Sequence, residues 1–442
     1  MFDIGLNCLR RFIRYFAASY LLVLLVLTLC FAITNLTNTT LLDYFSAFFT
    51  RIVRSSQDSA EILTNLKFSG LSKLVIVPIK DAAFFFSLLI LLAVSAKPIC
   101  DLLPDLRKDS QWFNIFCGLL IASVFIFSIM LQTHGLVYAK LALDPFAQEP
   151  SFWYRRILMP ALANFVHLTG ILYVVFFWMV AAFVFALVNI YLQSKNVRLS
   201  PLELGSLYTV AVFASALGHP GYPELLVLGF TILALLDFER TGRSGRFQVI
   251  CFGLALLTHE SAAALAFGIV GLFYFGLRFL LAAGLLFVIY VFTWILNFGF
   301  DVGAAAKVQM LVGGRTGPEW FHASLIYALI SPFVAFKLFI IVAFAAIGLS
   351  LRRSAYREAL VVSSALLGSF VLTYLATDYS RIMSFATIGI LVAITVIFPV
   401  LSMAQRRVFA VLNLIVPSFA VAGNVGIAYF GGLYGLVLKR LF

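Results

Sequence analysis

Apolar runs of about 20 residues follow one another almost from end to end of this chain, and that recurrence restricts its fold more than any other feature. A run of that length crosses the hydrocarbon layer of a bilayer as a helix, whereas a membrane strand needs only about 10 residues and alternates in polarity. The chain lacks that alternation. Hydrophobic residues make up 63% of the 442 positions and charged residues 11%, against about 25% charged in soluble domains. The sequence therefore predicts an all-α fold, a polytopic transmembrane helical bundle, as one domain over residues 1–442 with about thirteen helices.

The expected spans lie near 15–34, 82–97, 112–131, 167–192, 203–218, 224–238, 247–258, 261–277, 279–298, 323–350, 358–377, 382–403 and 408–430. The first follows Arg10, Arg11 and Arg14 and is long for a cleavable signal, so it reads as a retained helix with a cytoplasmic N-terminus. The net charge of +12 does not point to nucleic acid, because the Lys and Arg residues are spread through short loops instead of gathered on a soluble domain. Lys97/Arg107/Lys108, Lys195/Arg198, Arg240/Arg243/Arg246, Arg278, Arg352/Arg353/Arg357 and Arg406/Arg407 share one side, which the positive-inside rule makes cytoplasmic.

The opposite face then holds three loops: 35–81, whose stretch 41–74 reads as amphipathic helix on the membrane surface, 132–166 and 300–322. By the same parity Lys439 and Arg440 fall outside, so either the last segment turns back at Pro417 or one span is miscounted. The five Cys (Cys8, Cys30, Cys100, Cys117, Cys251) show no metal spacing and read as small buried hydrophobes.

His259 and Glu260 sit in the otherwise apolar run Cys251 to Gly268. Ionisable residues at membrane depth cost about 2.5–3.5 kcal/mol each and usually face a partner or a water-filled cavity. Arg246 and Arg278 are both assigned to the inside, so the stretch between them must go out and return on two short arms. A hairpin of short helices places its tip at His259-Glu260, and a helix end there lets both side chains reach one site. The pair reads as a sugar-binding or catalytic pair, as a metal ligand, or as a hydrogen-bonded link between helices.

The richest outer segment runs from Asp144 to Pro160. It combines Asp144 and Glu149 with Phe152, Trp153, Tyr154 and the adjacent Arg155 and Arg156. A guanidinium fork matches two phosphate oxygens, and a carboxylate beside a hydroxyl can act as general base. The plain alternative is an interfacial helix with aromatic anchors. Asp378 and Arg381, three residues apart, suit either a capped helix start or a second phosphate contact. His219 and Glu224 bracket Pro220 and Pro223 and read as a rigid turn. Lys337 falls near the middle of the span 323–350, where it either snorkels, pairs with a carboxylate or lines a cavity. Glycine-rich phosphate loops, nucleophile elbows and zinc motifs are absent, which argues against cytoplasmic nucleotide chemistry.

The order of these pieces resembles bacterial integral-membrane glycosyltransferases of the GT-C superfamily and the EpsG-like proteins. Three motifs carry the resemblance: Tyr154-Arg-Arg-Ile-Leu-Met-Pro160, Leu257-Thr-His-Glu-Ser261 and Asp378-Tyr-Ser-Arg381. It implies transfer of a sugar from a polyprenyl-phosphate donor to a glycan or glycolipid acceptor on the outer face of the bacterial inner membrane. Asp144 would be the base, with Glu149 its rival; Arg155, Arg156 and Arg381 would hold the lipid phosphate, and His259 and Glu260 the sugar hydroxyls. Tyr154, His219 and Asp378 complete the expected substrate-binding set. In the simplest family pattern the base lies in the first outer loop, which here offers Asp43, Asp58, Glu61 and Asp81 instead. No cofactor is implied, and a divalent metal is left open. The competing readings are a polysaccharide polymerase and a lipid-linked sugar flippase. A flippase requires polar residues through the cytoplasmic half, where the sequence offers little beyond Lys337, Asp237 and Glu239.

Overall fold

A computed structural model describes residues 110–126, 133–143, 145, 156–298, 318–373, 379–422 and 426–429. The expected spans 15–34 and 82–97, the loop 35–81 and most of the loop 300–322 lie outside the described residues. What is described is helical apart from one short antiparallel hairpin. In chain order the helices are α1 (Ser110–Phe125), α2 (Thr133–Leu141), α3 (Leu158–Phe165), α4 (Tyr173–Ser194), α5 (Pro201–Tyr208), α6 (Ala211–Gly218), α7 (Glu224–Thr241) and α8 (Arg246–Leu256). They continue with α9 (Glu260–Val270), α10 (Leu277–Phe298), α11 (Pro318–Phe336), α12 (Phe339–Arg352), α13 (Tyr356–Thr373), α14 (Tyr379–Met383), α15 (Thr387–Ile397) and α16 (Met403–Ile415).

Two helical stretches, Tyr173–Ser194 and Tyr379–Val400, are long and apolar enough to cross a membrane, and up to four are if each of two sharply bent pairs is one span. Apolar side chains face outward in stripes that water would not tolerate. On α10 the exposed residues Leu277, Leu281, Leu285, Val288 and Phe292 recur at helical spacing, and α1 exposes Phe113, Phe116, Leu120 and Val124. The chain is a membrane protein by this pattern of apolar helices.

Helix ends follow local chemistry. Ser200 and Glu203 form a capping box at the start of α5 with Pro201 in the first turn, and Ser402 with Gln405 does the same for α16. Gly242 closes α7 in the left-handed conformation at φ 66°. Close packing needs small residues at one crossing in particular. A Cβ on Gly118 of α1 would lie 2.8 Å from the Leu204 Cβ, and one on Gly205 of α5 would lie 2.7 Å from Ile121.

Three expected spans fold otherwise than predicted. The run 203–218 is two helices, α5 and α6, bent by 82°, and the run 323–350 is α11 and α12, bent by 92°. The reason is the same in both: polar side chains at the break take over backbone partners. Lys337, at φ 50°, sits between α11 and α12. Its buried ammonium donates to Thr209 Oγ1 at 3.0 Å and to the Asn413 carbonyl at 3.2 Å, so the two breaks meet at one polar knot. Asn413 Oδ1 accepts from the Leu338 N–H at 3.0 Å, and its amide donates to the Ser206 carbonyl at 3.2 Å. The third departure is the run 408–430. Its helix stops at Ile415, Pro417 cannot continue it, and the chain turns into strands Phe419–Ala422 (β1) and Gly426–Tyr429 (β2), paired antiparallel. Strand β1 lies against α11 and α14.

Candidate functional site

The break expected at His259-Glu260 is present. Helix α8 ends at Leu256, His259 is extended at φ −163° and ψ 105°, and Glu260 opens α9. The His259 Nδ1 accepts from the Ala262 N–H at 3.4 Å, capping α9. That cap assigns the proton of the neutral ring to Nε2. The Nε2 lies 3.1 Å from Glu224 Oε1, to which it donates, and the edge of Phe385 packs on the ring with centroids 5.4 Å apart.

Arg156 reaches the same place from 104 residues away along the chain. The Leu158 N–H donates to the Leu257 carbonyl at 3.1 Å, stitching the start of α3 to the end of α8. The Arg156 guanidinium then meets Glu260 as a fork, Nε to Oε2 at 3.1 Å and Nη2 to Oε1 at 3.2 Å. The Tyr138 hydroxyl of α2 faces the same guanidinium. Helix α2 is held there by a close approach of backbones: a Cβ on Gly221, at φ 111°, would lie 2.3 Å from the Gly135 Cα.

The second guanidinium comes from α14. Arg381 Nε donates to Glu224 Oε1 at 2.6 Å, and Arg381 Nη2 also pairs with that carboxylate and lies 3.4 Å from His259 Nε2. The guanidinium stacks over Tyr222 at 4.6 Å from the ring centroid, and Tyr222 meets the edge of His219 at 6.2 Å. Burial pushes the His219 imidazole down to about 4, so this ring stays neutral in the turn.

Arg156, Glu224, His259, Glu260 and Arg381 are all buried, none more than 9% exposed. Two cations face two carboxylates around a neutral imidazole, a balance that burial demands. Both carboxylates stand in the first turn of a helix, where the macrodipole favours them. Glu224 Oε1 is shared by Arg381 and His259, whereas its buried Oε2 has no hydrogen-bond partner among the described residues. No protein-family model, curated protein or solved structure matches this chain. The site's chemistry is therefore read from its own residues.

Of the expected site residues, Arg156, His219, His259, Glu260 and Arg381 come together in this cluster. Asp144, Glu149, Tyr154, Arg155 and Asp378 lie outside the described residues. Glu224, read from sequence as part of a rigid turn, is instead the carboxylate on which Arg381 and His259 converge. Tyr138 also went unmarked. The available signal for Glu224 was a carboxylate directly after Pro223 at the head of an apolar run, a position that marks the first turn of a helix. Among the described residues no group of three or more His, Cys, Asp or Glu is placed to hold a metal.

Proposed function

We propose that this chain is an integral-membrane glycosyltransferase of GT-C or EpsG-like type, moving a sugar from a polyprenyl-phosphate donor to a glycan or lipid acceptor on the outer face of the bacterial cytoplasmic membrane. The observation that supports this reading is the meeting of Arg156 and Arg381 with Glu224, Glu260 and His259 in one buried cluster. Guanidiniums recognise a phosphate and stabilise the charge that grows on it as it leaves. Carboxylates and a neutral imidazole recognise sugar hydroxyls. In this reading Arg156 and Arg381 engage the lipid phosphate, His259 and Glu260 hold the sugar, and Asp144 or Glu149 deprotonates the acceptor hydroxyl. The bilayer brings the donor's lipid tail to the site.

Transfer of labelled sugar from a polyprenyl-phosphate sugar by the purified protein tests this. Arg156→Lys and Arg381→Lys each keep a positive charge but lose the fork, and each lowers transfer at least about tenfold while the protein stays monodisperse. Unchanged turnover in both variants would sink the phosphate assignment, and Asp144→Asn compared with Glu149→Gln identifies the base.

One observation favours a second reading, a flippase for the same lipid. The bent pairs α5/α6 and α11/α12 meet at the buried Lys337, and interrupted helices that meet at polar groups are common in carriers. In sealed vesicles a flippase moves the labelled lipid across the bilayer without consuming it.

A further inference from the structure

Lys337 is only 1% exposed, and among the described residues no carboxylate pairs with it. Glu203, on the helix that leads to Thr209, is taken up by Arg406 at 2.6 Å. A buried charge without a counter-charge is costly, so something else must balance this one. The backbone does. Helix α5 ends at Tyr208 just before Thr209, α16 ends at Ile415 just after Asn413, and α11 ends at Phe336 just before Lys337 itself. A helix C-terminus carries about half a negative charge on its last carbonyls, so the ends of α5 and α16 together match one ammonium.

The sequence frees the acceptors. In a continuing helix the Asn413 carbonyl would bond the N–H of residue 417, but that residue is Pro417 and has none. The ammonium takes that carbonyl at 3.2 Å. At the end of α5 the Thr209 hydroxyl donates to the Ser206 carbonyl at 2.8 Å, which leaves its lone pairs for the ammonium at 3.0 Å. Two helices also start here without competing for these acceptors. Asn413 Oδ1 covers the Leu338 N–H before α12, and the Phe213 and Ala214 N–H groups of α6 bond the Val210 carbonyl.

We infer that this junction is a cation site of the broken-helix kind and that Lys337 fills it permanently with its own ammonium. In interrupted membrane helices, C-terminal ends and freed carbonyls coordinate monovalent cations. Here the cation is tethered to one of the ends, so it stays in place and pins the α5/α6 bend to the α11/α12 bend. The ligand class of the site is a small monovalent cation, and in wild type no free Na+ or K+ takes it. This holds for the transferase and the flippase reading alike. In the latter, a Na+ or K+ gradient cannot act through this site.

Chemical rescue tests it on the purified full chain. Lys337→Ala deletes the atoms of one n-propylammonium ion. The variant should unfold on the order of 5 °C or more below wild type, and added n-propylammonium should recover most of that loss in a saturable way. The neutral isostere 1-propanol and the oversized tetramethylammonium, at the same concentration, should recover none. Lys337→Met fills the space without charge, and it should be destabilised and unresponsive to all three. Wild type should unfold within about 1 °C of the same temperature in sodium, potassium and choline chloride of equal ionic strength. If Lys337→Ala aggregates on purification, its monodisperse yield with and without n-propylammonium becomes the readout. The inference is overturned by Lys337→Met as stable as wild type, by rescue with 1-propanol as strong as with n-propylammonium, or by a Lys337→Ala variant that n-propylammonium does not improve. Wild-type stability that depends on sodium or potassium overturns it too.

Discussion

The Arg156–Glu260 fork joins two residues 104 positions apart, both less than a tenth exposed. Burying a pair of charges is not in itself stabilising, but removing one partner strands the other in a low-dielectric site. Arg156→Met should therefore destabilise the protein by about 3–5 kcal/mol, and the double variant Arg156→Met/Glu260→Met should recover most of that loss. Denaturant titration of the purified variants checks the cycle, and equal losses in the single and double variants would contradict it. At this scale the sequence was partly legible. His259 and Glu260 stood out because an ionisable pair in an apolar run needs a reason. Arg156 and Arg381 stood out because their neighbours suggested phosphate. Glu224 did not, because a carboxylate beside two prolines has a sufficient local explanation as part of a rigid turn, and only tertiary contact shows Arg381 and His259 turning toward it.

Among the elements, the crossing of α1 and α5 shows how spacing becomes packing. Gly118 and Gly205 let the two helices approach until a single added Cβ would collide with Leu204 or Ile121. Gly205→Leu should cost about 1–3 kcal/mol through overpacking, read as a lower thermal unfolding temperature, while Gly284→Leu on α10, where a Cβ meets nothing within 4 Å, should leave it nearly unchanged. The breaks in α5/α6 and α11/α12 were not legible as breaks. Each run has the hydropathy of one span. The bends depend on Lys337, Thr209 and Asn413 finding one another, a contact between residues 128 and 76 positions apart. The end of α16 was half legible. Pro417 marked a possible turn, but the strand pairing after it is a long-range choice between backbone partners.

Over the whole molecule, the arrangement is polar inside at the cluster and apolar outside along α10. The exposed stripe Leu277, Leu281, Leu285 and Val288 matches a hydrocarbon surrounding. Leu285→Lys should lower the yield of membrane-inserted protein, at a cost of about 2.5–3.5 kcal/mol for a charge near mid-membrane. Fractionation and protease protection measure it, and unchanged insertion would place this face against protein or water instead. From sequence alone came the helical membrane class, most of the helical segments between 112 and 403, and the helix break at His259-Glu260. These are local consequences of apolar run length, of proline and capping residues, and of the cost of isolated charge. Only the tertiary structure decided that residues 156, 224, 259, 260 and 381 share one buried cluster, and that two apolar runs bend at a common lysine. Those facts rest on pairings between distant parts of the chain, where low dielectric makes each charge seek a partner that no local pattern specifies.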